Sequence, residues 1–227
     1  ATPPPPPRAS LPPPVAISDR VAPEAVIAAG KAAAARAAAG AAGTANALSM
    51  TIVESRADPV SFTAEAMPRK CGGETACLQQ SEYVRRWTAE SGGRGYVAHV
   101  EPHADYEGER CVFWGATNRM PSLAACAASC AGFVPRAGDI DTAYLPCNTF
   151  VFCDQPVCFS RDIHNHTFGE CWLKFSELPH EPIVNARGRM PDAIRKQHPT
   201  MPELVDWTTG ALLPPGVALG RGALKAQ

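Results

Sequence analysis

The groups in this sequence with the most chemistry to offer are its nine cysteines, four of which fall in one stretch, residues 147–175, reading CNTFVFCDQPVCFSRDIHNHTFGECWLKF. Cys153, Cys158, His164 and His166 form a set of sulfur and imidazole ligands that would suit zinc if the sulfurs were thiolates. The competing use is cross-linking: an oxidising compartment would couple Cys153 to Cys158 across the short CDQPVC loop, leaving the histidines as exposed residues of a polar loop. A catalytic thiol needs a lowered pKa beside a histidine. Cys111, in ERCVFW, is the odd cysteine, but no nucleophile motif surrounds it, and a buried or mispaired structural cysteine is the expected reading. The acidic run EPHADYEGE, with Glu101, His103, Asp105, Glu107 and Glu109, offers oxygen ligands to a cation, although such a run ordinarily forms a solvated loop. The expectation is a chain that catalyses nothing and needs neither metal nor cofactor.

Composition sets what must position these groups. There are 23 prolines and 18 glycines but only 7% aromatic residues, and every cysteine lies between Cys71 and Cys171, which predicts one compact domain between two arms. The net charge is -1 with cations scattered singly, which argues against nucleic acid or an anionic membrane surface as a partner. The longest apolar candidate, VIAAGKAAAARAAAGAAG, is interrupted by Lys31 and Arg36 and is mostly alanine, so no membrane span is expected. The sequence begins at Ala1 rather than Met, from which removal of a targeting segment is expected. Dense cysteine then points to an oxidising compartment, an organelle lumen or the extracellular space.

Residues 1–48 combine a polyproline stretch with an Ala-rich helix that Pro23 and Glu24 open and Gly40 closes, Val26 and Ile27 being its small apolar anchor. Residues 49–105 extend the core with short strands at MTIVES and GGRGYVAHV, a helix at LQQSEYVRRWTAE, and a CGGETAC loop in which Cys71 and Cys77 can pair locally. Residues 177–227 carry prolines too frequently for a long helix or a central strand, and are expected to form an extended arm. Both arms suit docking onto other protein subunits, with Trp207, in VDWTTG, as an anchor on the second.

Between them, Ser122 can cap a helix in MPSLAACAASCAGF that places Cys126 and Cys130 one turn apart. CNTFVFC and ECWLKF have strand character, so a helix bearing two cysteines faces two cysteine-bearing strands, an arrangement that permits two bridges between helix and sheet. In cysteine order, helix position and the CWLK ending, residues 106–176 resemble the PAN/apple module, in particular the apple-like domains of plants and algae. The resemblance implies an α+β fold, a helix on a curved antiparallel sheet, with Cys126 paired to Cys171 and Cys130 to Cys147. It also implies protein or glycan binding, and its plant and algal flavour fits a structural subunit on the lumenal side of a photosynthetic membrane complex, in the thylakoid lumen, as well as a secreted adhesion module. The sequence departs from the pattern in a longer AGFVPRAGDIDTAYLP loop, the extra Cys153 and Cys158 couple, and the lack of any cysteine after Cys171. Asn165, His166 and Thr167 form an N-glycosylation acceptor triplet, which bears on the compartment.

Overall fold

In the computed structural model, residues 51–54, 69–89, 95–135, 144–162 and 164–224 are described; Val26, Ile27 and the rest of residues 1–48 lie outside them. Among these residues there are eleven strands, several of them from β-branched and aromatic runs: β1 Ile52–Glu54, β2 Val97–Pro102, β3 Ala104–Glu107, β4 Arg110–Phe113, β5 Thr149–Phe152, β6 Val157–Cys158, β7 His166–Thr167, β8 Cys171–Phe175, β9 Ile183–Arg187, β10 Thr208–Leu213 and β11 Ala223–Leu224. Four helices accompany them: α1 Thr75–Gln79, α2 Glu82–Ala89, α3 Leu123–Ala131 and α4 Asp192–Gln197. The result is a mixed α+β fold with a mostly sheet core.

Six strands form the main sheet in the order β1-β2-β10-β5-β8-β4, antiparallel except for the β1 and β2 pair. The chain leaves this sheet at His103, whose positive φ of 57° turns β2 sharply into β3. Strand β3 then joins a second sheet of order β11-β9-β3, which packs against β10 and β5. Helix α3 covers the opposite face. Alternation along β8 explains both layers: Cys171, Leu173 and Phe175 are buried in the core beneath α3, whereas Trp172 joins a second cluster with Val151 and Trp207.

The single helix expected over LQQSEYVRRWTAE divides in two. Residues Gln80 and Ser81 turn back onto the Cys77 and Leu78 carbonyls, and the Ser81 hydroxyl accepts the Val84 N–H, closing α1 and starting α2. Strand β5 differs from a strand with one face in solvent. All four residues, Thr149 to Phe152, are buried, because the sheet is covered on both faces.

The largest correction concerns residues 177–227. Instead of an extended arm they supply β9, α4, β10 and β11, and β10 lies in the middle of the main sheet with all six residues buried. The prolines permit this because they flank the strand: TTGALL is proline-free, between Pro202 and Pro214. Gly210 has a specific reason to be there, since a Cβ would sit 2.4 Å from the Phe150 ring.

Four disulfides tie these layers together: Cys71 to Cys77, Cys126 to Cys171, Cys130 to Cys147 and Cys153 to Cys158. Two of them fasten α3 to the sheet, from Cys126 to β8 and from Cys130 to the residue preceding Asn148 and β5. Helix α3 begins at Ser122, whose hydroxyl accepts the Ala125 N–H at 3.2 Å. Ser122→Ala should cost about 1 kcal/mol of stability, read as a shift in the denaturant midpoint at unchanged slope.

Candidate partner-binding surface

Strand β8 and the β6–β7 hairpin bring the chemistry of the sequence together around His166. The hairpin pairs Val157 with Thr167 and Cys158 with His166, and the Cys153 to Cys158 bridge closes its entry. His166, expected in an exposed polar loop, is buried with a relative exposure of 4%. Its Nδ1 lies 2.7 Å from Glu170 Oε2, and its Nε2 lies 3.1 Å from Asp162 Oδ2. Two carboxylates on two ring nitrogens require two N–H donors, so the ring is held as an imidazolium. Its ring packs against Trp172 and Trp207 at centroid distances of 5.6 and 5.3 Å, steeply inclined to both at 69° and 66°.

Glu170 is the centre of this network and is 2% exposed. It accepts His166, the Thr167 N–H at 3.1 Å, the Trp172 Nε1–H at 3.3 Å and the Arg119 guanidinium at 3.3 Å. A carboxylate so buried is tolerated because each of its oxygens is occupied. The bond to Glu170 is the main cause holding His166 above its ordinary pKa, against the opposing effect of burial. Burial pushes Asp162 and Glu170 upward, but the hydrogen bonds and charge they receive outweigh it and hold both below their ordinary values.

These shifts fix the sign of a pH effect. The raised His166 contributes stability that is complete below about 6.5 and is lost as pH rises through its higher folded value. The lowered carboxylates contribute stability that is present above their ordinary range and is lost as pH falls through their lower folded values. His99, lowered by burial, acts in the opposite direction to His166. The difference between wild type and His166→Gln should therefore shrink on raising the pH above neutrality, as followed by urea midpoints; a difference constant from pH 6 to 9 would contradict the charged ring.

The zinc alternative fails on its sulfurs, since Cys153 and Cys158 are bonded to each other. His164 is exposed and does not join His166 at a shared centre, and no group of three or more metal-ligating side chains occurs among the described residues. The acidic run is neither a cation site nor a solvated loop. Glu101 pairs with Arg187 and accepts the Tyr106 hydroxyl, Asp105 accepts from Asn185 and faces Lys174, and Glu109 pairs with Arg69. Strand alternation distributes these carboxylates among separate cations and so removes any common centre. Cys111, half-buried on β4, remains a thiol whose S–H lies 3.5 Å from the Phe113 carbonyl.

Trp207, expected to anchor a partner, is instead 6% exposed and donates its Nε1–H to the Phe159 carbonyl at 2.7 Å. The preceding chain returns to the body through β9 and α4, which carries this indole inward. The tryptophan that faces solvent is Trp114, 48% exposed, at the end of β4. Its carbonyl accepts the Thr117 and Asn118 N–H groups and the Thr117 hydroxyl, which fixes the turn that bears it. Its ring lies 6.1 Å from that of Trp172, tilted by 31°, and Gly115 lets the turn approach, since a Cβ there would meet the Trp172 ring at 2.2 Å. The His166 network thus supports Trp172 from below, and Trp172 supports the exposed Trp114. Sequence reasoning passed over Trp114.

Comparison of the chain with protein-family models, with curated proteins and with solved structures returns no match.

Proposed function

We propose that the chain is a non-catalytic binding module of PAN/apple type, a structural or accessory subunit that holds neighbouring proteins in a larger assembly within an oxidising compartment. The observation that carries this reading is Trp114: a large apolar side chain held in solvent on a pinned turn, backed by Trp172 and the buried charge network. Tryptophan dominates interface energetics when a partner covers it, and a rigid turn lowers the ordering cost of binding. The chemistry behind it supports a scaffold more than a catalyst, because both nitrogens of His166 are occupied by carboxylates and neither is left to act as a base. Four disulfides support the compartment, and no described helix is long and apolar enough to cross a membrane.

The two tilted indoles also suit the flat C–H face of a sugar ring, which favours a secreted glycan-binding adhesion module as the second reading. Trp114→Ala distinguishes a binding residue from a structural one. Losing the contact with Trp172 should cost about 1 kcal/mol and leave the chain folded, yet the change should remove the chain from its native complex on a sizing column. Retention of the variant at wild-type occupancy would overturn the proposal, and loss of binding to immobilised glycans alone would select the second reading.

A further inference from the structure

We infer that Asn165 is an N-glycosylation site, so that the chain matures along a secretory route that supplies lipid-linked oligosaccharide. The triplet Asn165, His166, Thr167 is the only acceptor triplet of this kind in the 227 residues. Its placement is what separates it from a chance match. Asn165 is exposed immediately before β7, whereas His166 is buried beneath it. In an extended run, side chains two apart share a face. The buried middle residue therefore fixes the triplet's orientation: His166 is tied inward to Glu170 and Asp162, and Asn165 with Thr167 takes the outer side. No hydrogen bond among the described residues engages the Asn165 side chain, so a glycan on it displaces nothing that the fold uses.

The surroundings agree with a covered surface. Thr167 pairs across the hairpin with Val157, an aliphatic side chain 43% exposed, which a sugar chain leaving Asn165 would shield from water. Thr167 is followed by Phe168 rather than proline, and the four disulfides are those of a chain matured in an oxidising lumen. In the transfer, the Asn165 carboxamide nitrogen forms a bond to the anomeric carbon of a lipid-pyrophosphate-linked oligosaccharide. The bond from that carbon to the pyrophosphate oxygen breaks, lipid pyrophosphate leaves with the electron pair, and the amide gives up one proton; nothing is oxidised or reduced.

The test is to direct the full chain through the secretory pathway of a eukaryotic cell line and to digest the secreted product with peptide N-glycosidase. Wild type and Thr167→Ser should lose apparent mass on digestion, with Asn165 converted to aspartate in the tryptic peptide. Asn165→Gln, an exposed change that leaves the His166 network intact, and Thr167→Ala should both run as the digested form with or without the enzyme. A secreted, fully disulfide-bonded wild-type chain whose peptide carries unmodified Asn165 would overturn the assignment. So would a digestion shift that persists in Asn165→Gln.

Discussion

A chain that stops at Val205 is expected not to fold. Removing residues 206–227 deletes β10, which hydrogen-bonds to β2 on one edge and to β5 on the other. The main sheet would split into a β1 and β2 pair and a β5-β8-β4 group, each with a newly unpaired row of backbone N–H and C=O groups facing the interior. It would also remove Leu212 from the core beneath α3. Deletions of this kind exceed the whole stability of a domain this size, about 5–15 kcal/mol. Near-ultraviolet circular dichroism and limited proteolysis check it: the truncated chain should lack fixed aromatic signal and be digested throughout. A cooperative unfolding transition like that of the full chain would return residues 177–227 to the status of an arm.

Trp207→Ala is expected to cost about 3–5 kcal/mol of stability. The indole packs in a cluster with Val151, Met190 and Val205, lies against the His166 ring at a centroid distance of 5.3 Å, and donates its N–H to the Phe159 carbonyl. Its removal leaves a cavity beside the His166 ring and a Phe159 carbonyl without its donor. Trp207→Phe should recover a large part of the loss, since it restores volume but not the hydrogen bond. Denaturant midpoints measure both. An alanine variant as stable as wild type would mean that Trp207 is available to a partner after all.

What could be read in the sequence follows from which interactions are local. Helix α3 was legible because Ser122, Cys126 and Cys130 state its cap and inner face within nine residues, and β5 and β8 because their runs are β-branched and aromatic. The position of β10 was not, since nothing in TTGALL announces that it inserts between two strands distant in sequence. Counting prolines over the whole tail concealed the gap between them. The same limit hid the site. His166 reads as a loop histidine until the turn after β7 brings Glu170 to its Nδ1 and β8 brings Trp172 to its ring; these partners are near in sequence but carry no periodic pattern, and Trp207 comes from a segment some forty residues on. Trp114 could not be told from a core tryptophan by spacing, because its exposure is decided by the turn that Thr117 and Asn118 pin.

The central claim is that this turn presents Trp114 to another protein, and a photo-cross-linking aromatic residue placed at position 114 tests it most directly. The full chain carrying it, expressed in the native host and irradiated, should give one discrete covalent adduct with a neighbouring subunit, while the same group at exposed Val134 gives none. Adducts of equal yield at both positions, or none at 114 in a chain that still enters its complex, would contradict the account.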